Sequence, residues 1–172
     1  RAHTVLGAAS ERARGVRGGD RGGRGGGRCA ACLAVGRARA ARADGTPRPV
    51  AVVTAAGTAV ANLHPAVLEA HHAGLPLLLL TADRPRELRG TGANQTTEQA
   101  GLYGVFAPCA DLGVDAGEEE LRAAARAATE RPGPSQLNLQ LGEPLLPDAG
   151  ADWWPGGAAN GNDGRPRWTT SR

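Results

Sequence analysis

Between residues 48 and 141 the chain alternates short oily runs with stretches of helical period. "PVAVVT" (49–54) is continuously apolar and rich in β-branched residues, the composition of a strand covered on both faces. It stops at the turn Ala56-Gly57-Thr58. "AVANLHPAVLEAHHAG" (59–74) then carries apolar residues at helical spacing and closes on Gly74, a helix-stop signal. Pro65 inside it predicts either a kink or the true start of the helix. "LPLLLLTA" (75–82) reads as the next buried strand, so strand, glycine turn, helix and strand together predict a right-handed βαβ crossover. Further on, "EEELRAAARAATE" (118–130) predicts an alanine-rich helix with acids in its first turn, and "RPGPSQLNLQL" (131–141) a turn and a third strand. This order of elements predicts an α/β fold, a mostly parallel sheet with helices on both faces.

The ends lack this patterning. Residues 1–47, with "RGVRGGDRGGRGGGR" at their centre, hold no hydrophobic period, and glycine at that density predicts disorder or a garbled reading of a GC-rich gene. An RGG-type RNA-binding tail is the functional alternative there, although the Phe and Tyr that accompany such repeats are absent. Residues 48–148 are the expected folded domain. Residues 149–172, rich in Gly, Asn and Pro, read as a linker or arm in which Trp153, Trp154 and Trp168 suggest docking onto another surface.

Composition changes little in this picture. At 172 residues there is room for one ordinary α/β domain, and the net charge of +3 rests on twenty arginines with no lysine. Missing lysine, isoleucine and methionine point to codon bias as much as to a nucleic-acid partner, so nucleic acid is not the expected ligand. No signal-peptide pattern and no run long enough to span a bilayer is present, so a cytoplasmic protein is expected; Arg1 in place of a starting methionine leaves room for a piece of a longer chain. Cys29, Cys32 and Cys109 form no disulfide framework, and without a second pair "CAAC" is read as small buried residues rather than a zinc or redox site.

Candidate chemistry concentrates in "TADRPRELRGTGANQTTEQ" (81–99), directly after the second oily run. In open α/β sheets ligands sit outside the carboxyl ends of strands, which is where this stretch falls. Arg84 is placed there to present parallel donors to a carboxylate, with the amides of Asn94 and Gln95 available for orientation. The bland alternative is a surface loop in which Asp83 caps a turn and Arg84, Arg86 and Arg89 pair with Asp83, Glu87 or Glu98. His71 and His72 are expected to meet a helix C-terminus, His64 to be structural at a helix entry, Glu69 to lie on a solvated face, and Tyr103 and Phe106 to pack locally.

The wording "TAAGTAVANLHPAVLEAHHAGLPLLLLTADRPRELRGTGANQTTEQAGLYG", with its "TADRP" and "GANQ" elements, resembles the pyrimidine-binding domain of the 2-succinyl-5-enolpyruvyl-6-hydroxy-3-cyclohexene-1-carboxylate synthases, thiamine-diphosphate enzymes of menaquinone biosynthesis. "PGPSQLNLQLGEPLLPD" is similar to the end of that domain. The resemblance implies a homo-oligomer with active sites between subunits, thiamine diphosphate anchored by Mg²⁺, and 2-oxoglutarate and isochorismate as substrates. It makes Arg84 the substrate-carboxylate arginine and Asn94 and Gln95 the substrate-facing amides. Three departures accompany it. Gly27 stands where the family places the glutamate that bonds the cofactor's pyrimidine ring, with Arg28 kept after it, and glycine cannot exchange a proton with that ring. The upstream "PGSRS"-type turn is not recognisable, and Ala56 replaces a serine. No "GDG" segment with a downstream asparagine occurs, so the diphosphate-binding part is not in these residues. The expectation is a partial homologue that is inactive by itself; a regulatory subunit and an RNA-binding module are the competing readings.

Overall fold

The computed structural model describes residues 5–8, 23–45 and 48–145, with side-chain surroundings from Cys32 onward. Five strands, β1 (Val5–Ala8), β2 (Val50–Thr54), β3 (Leu77–Asp83), β4 (Cys109–Leu112) and β5 (Pro134–Gln140), form one sheet in the order β1-β2-β3-β5-β4. Every pairing is parallel, with Val52 opposite Leu79, Leu79 opposite Gln136, and Asp111 opposite Asn138. The predicted α/β class and parallel sheet are therefore present.

Side-chain alternation along the strands sorts the two faces. Val50, Val52, Leu77 and Leu79 face one side and join Val60, Leu63, Ala66, Val67 and Ala70 in the main core. That layer consists of α1 (Gly23–Ala43), the short α2 (Thr58–Ala61) and α3 (His64–His72). On the other face α4 (Glu118–Glu130) packs against β5, and its Thr129 approaches Ala51 and Leu78. Val53, on that side, remains exposed, so the run read as covered on both faces is bare at one position.

The stretch read as one helix is broken in two. Pro65 sits in the first turn of α3, where its missing N–H would have had no helical partner, so it starts a helix instead of kinking one. Gly74 ends α3 with φ of +62°, and the bonds Gly74 N–H to His71 O (3.1 Å) and Leu75 N–H to Ala70 O (2.8 Å) close a Schellman motif. His64 opens α3 and His71 and His72 fill its last turn, as expected. Tyr103 is buried and its hydroxyl donates to Val60 O at 2.7 Å; Phe106 is half-buried against the core.

One expectation is corrected for part of its range. Residues 1–47 were expected to lack order, yet Gly23–Ala43 form a 21-residue helix, and Ala34, Val35 and Ala38 are buried against α3 and β2. Averaging over the glycines hid an alanine-rich half, residues 30–43, whose small side chains have high helix propensity. Two arginines on this half fasten the helix: Arg39 pairs with Glu69, and Arg42 donates to the carbonyl of Ala73 at the end of α3. Glu69 is thus exposed but partnered. Cys32 is exposed, against the expectation of burial, and Cys109 is half-buried; both are free thiols. Cys29, residues 9–22 and the arm with Trp153, Trp154 and Trp168 lie outside the residues whose surroundings are described. No described helix is long and apolar enough to cross a membrane.

Candidate functional site

The carboxyl ends of β3, β5 and β4 carry a row of polar side chains on the face shared with the core. "QLNLQ" in β5 alternates strictly, so a period of two places Gln136, Asn138 and Gln140 side by side on that face. In an oily layer each amide must find partners, and each does. Asn138, fully buried, accepts through Oδ1 from Thr81 Oγ1 (2.9 Å) and Gln99 Nε2 (2.8 Å), and donates through Nδ2 to Asp83 Oδ2 and Asp111 Oδ1, both at 2.8 Å. Gln136 donates to Thr81 Oγ1 (3.1 Å) and to the carbonyl of Gln99 (2.9 Å), and Gln140 Oε1 accepts from Arg86 N–H at 3.0 Å.

Asp83 and Asp111 meet over this row, and Arg89 neutralises both. Its Nη1 donates to Asp111 Oδ2 (2.7 Å), and its Nη2 to Asp111 Oδ1 (2.8 Å) and Asp83 Oδ2 (2.6 Å). The two-pronged bond from Arg89, aided by Asn138 and Gln140 against the opposing effect of burial, holds the Asp111 carboxyl well below the usual carboxylate range. The Asp111 bond likewise raises the Arg89 guanidinium above its already high ordinary value. The loop reading of the sequence was therefore right for Arg89 with Asp83. It missed Asp111, because the four-residue β4 was not recognised as a strand.

Arg84 behaves differently. Its backbone N–H donates to Asp83 Oδ1 (2.8 Å), and its Nε donates to the carbonyl of Asn94 at 3.3 Å. Among the described residues it pairs with no carboxylate. Asn94 is exposed and Gln95 half-buried, so the structure brings Arg84, Asn94 and Gln95 to one rim, joined through the backbone of Asn94. Thr96 bonds back to Ala93 O through N–H (3.1 Å) and Oγ1 (2.6 Å), which tightens the turn and places Gln95 at φ of 61°. The backbone of Gln95 rests on Gly57, where an added Cβ would lie 3.3 Å from the carbonyl oxygen of Gln95.

Residues 27–102 match the family described as thiamine pyrophosphate enzyme, N-terminal TPP binding domain. A 2-succinyl-5-enolpyruvyl-6-hydroxy-3-cyclohexene-1-carboxylate synthase from Thermobifida fusca (strain YX) is 52% identical over 138 residues, covering 74% of this chain and 24% of the relative. Residues 27–102 of the chain belong to the thiamine pyrophosphate enzyme family. The synthase of the same name from Leifsonia xyli subsp. xyli (strain CTCB07) is 54% identical over 113 residues, 58% of this chain and 19% of that protein. The chain thus spans about a quarter or less of the length of these thiamine enzymes. Benzoylformate decarboxylase from Polynucleobacter necessarius superposes with a TM-score of 0.55 and 21% identity over 72% of this chain and 23% of its own, a likeness of fold.

The site fits the cofactor of this thiamine enzyme family only in part. At the end of β2, beside the 55–58 turn, Thr54 Oγ1 is buried with no hydrogen-bond partner among the described residues, a polar group that a ring edge could meet. Among the described residues no carboxylate is bonded to Thr54 Oγ1. Gly27 lies in the first turns of α1 with no side chain, and Asp83 and Asp111 are both engaged by Arg89 and Asn138. The described residues do not fit activation of thiamine diphosphate.

Proposed function

We propose that this chain supplies the substrate-facing rim of a 2-succinyl-5-enolpyruvyl-6-hydroxy-3-cyclohexene-1-carboxylate synthase, an enzyme that decarboxylates 2-oxoglutarate and adds the succinyl unit to isochorismate in menaquinone biosynthesis. The observation that carries this reading is the division of labour between two arginines. Arg89 is bound by Asp83 and Asp111, while Arg84, the first residue after β3, keeps its terminal nitrogens for an outside anion. Both substrates are polycarboxylates. Arg84 pairs with a substrate carboxylate, and the side-chain amides of Asn94 and Gln95 orient it. Thiamine diphosphate with Mg²⁺, when bound in the complete synthase, supplies the carbon chemistry. The active assembly is a cytoplasmic homo-oligomer in which another part of the synthase holds the diphosphate, and neither nucleic acid nor membrane insertion has a role. With Gly27 in place of the proton-exchanging glutamate, the chain by itself is inactive.

Two measurements test this reading. The 172-residue chain mixed with thiamine diphosphate, Mg²⁺, 2-oxoglutarate and isochorismate is expected to release no CO₂ above background. Calorimetric titration with 2-oxoglutarate is expected to show binding that weakens about tenfold or more in Arg84→Ala, the loss of a hydrogen bond to a charged group, and stays unchanged in the control Arg122→Ala. Equal affinity in the Arg84 variant and the unmodified chain would refute the assignment.

A further inference from the structure

Gln99 lies outside every role assigned so far, and it is the point at which three segments of the rim meet. Its side chain is almost wholly buried. Oε1 accepts from the N–H of Gly57 at 2.8 Å, in the turn after β2. Nε2 donates to the carbonyl of Ala82, at the end of β3, and to Asn138 Oδ1 in β5, both at 2.8 Å. Its backbone is held as well: the carbonyl accepts from Gln136 Nε2 (2.9 Å) and the N–H donates to Thr97 O (2.9 Å). Every polar group of this residue is therefore used, and the side chain alone spans the sheet end and two loops.

A residue that merely filled space here would be apolar, since burying an amide is costly unless both ends are bonded. The two ends of Gln99 instead join elements far apart in sequence. The Gly57 turn and the 93–96 turn also touch directly, with the backbone of Gln95 against the bare Cα of Gly57. The direct contact limits how near they come, and the amide bonds limit how far they part. We propose that Gln99 is a positioning residue that holds the Gly57 turn and the Arg84–Gln95 loop at one separation, and so sets the geometry of the anion-binding rim. The functional half of this inference rests on the reading of the rim given above; the mechanical half does not.

The test uses the full chain with Gln99→Leu and Gln99→Glu, and reads amide hydrogen exchange by NMR at pH 5.5 and 8, each variant as a ratio to the unmodified chain. Gln99→Leu is expected to raise exchange about tenfold at Gly57 and across residues 94–96, corresponding to the loss of a buried hydrogen bond, with the ladder between β2 and β3 and the amides of α4 unchanged. Gln99→Glu keeps the shape and the acceptor for Gly57. When protonated it still donates one bond; when ionised it faces two acceptors, Ala82 O and Asn138 Oδ1. The charged groups reached through Asn138 are Asp83 and Asp111, with Arg89 bound to both, while Thr81 and Gln136 are neutral. Its exchange ratios should therefore stay near one at pH 5.5 and rise at pH 8, a rescue that simple space-filling would not produce. Ratios near one at both pH values in both variants, or a uniform rise along the whole chain, would overturn the clamp. In parallel, 2-oxoglutarate affinity should fall about tenfold in Gln99→Leu; unchanged affinity with loosened turns would overturn its functional half. An unmodified chain that does not bind 2-oxoglutarate would instead defeat the rim's proposed role, and the exchange ratios would still decide the clamp.

Discussion

Asn138→Asp is the most exacting perturbation of the polar row, because it changes one atom's chemistry and almost no volume. In the native arrangement Nδ2 of Asn138 donates to Asp83 Oδ2 and Asp111 Oδ1 at 2.8 Å each. Replacing that nitrogen by a carboxylate oxygen turns two attractive contacts into repulsions between like charges. At separations of about 3–4 Å and an effective dielectric constant of about 20, each repulsion is worth about 4–6 kcal/mol. Arg89 offsets a share of this, but it is already committed to both acids. Since a whole domain is stable by only about 5–15 kcal/mol, the new carboxyl relieves the strain by keeping its proton, which restores one donor. Its folded-state pKa is thus raised above the unfolded value of about 3.9. A carboxyl raised in this way contributes least destabilisation at low pH, and stability is lost as pH rises through the folded value. Urea unfolding followed by far-UV circular dichroism at pH 5, 6.5 and 8 is the assay. The variant should lose at least about 3 kcal/mol at pH 8, a midpoint shift of about 2 M at a slope near 1.5 kcal/mol/M, and recover most of it at pH 5. A variant whose midpoints track those of the unmodified chain across this range would show that Asn138 does not face two ionised acids.

Two further outcomes follow from the same geometry. Arg89→Met leaves Asp83 buried without its cation and should cost about 3 kcal/mol in urea unfolding, somewhat below the usual figure for a fully buried pair because Asp111 is partly exposed. In the unmodified chain the stability contributed by the depressed Asp111 carboxyl is complete above about pH 4 and is lost as pH falls below that unfolded value; the Arg89 variant should show a shallower acid limb in the same measurements. Gly57→Ala should lower stability by about 1–2 kcal/mol in thermal unfolding, because φ of +80° strains any side-chain-bearing residue and the added carbon would press on Gln95; no change would mean that the two turns are not in contact.

Much of this architecture could be read locally. The β-branched run of β2, the leucines of β3, the acids at the start of α4 and the glycine that closes α3 are signals carried within ten residues, and each names its element through backbone sterics or side-chain period. "QLNLQ" named a strand in the same way, but that its three amides share one face with Thr81 and Asp83 came from the register of β5 against β3. Arg84, Asn94 and Gln95 could be grouped because one loop carries them all.

Other features depended on where distant segments came to rest. α1 draws its burial from small alanines fitting against α3, a complementarity with no hydrophobic signature of its own until the partner helix is present. Arg84 and Arg89 look alike beside the same local acids. Only the strand order β3-β5-β4, which lays Asp111 and Asn138 next to Asp83, decides that Arg89 is bound by two acids while Arg84 pairs with no carboxylate among the described residues. Charge pairing and amide satisfaction act over a few ångströms in space and are blind to separation along the chain. That is why the sequence alone determined β2, α3, β3, α4 and β5 and their likeness to a thiamine enzyme domain, while the tertiary structure decided where α1 and β4 lie and which side chains hold the rim together.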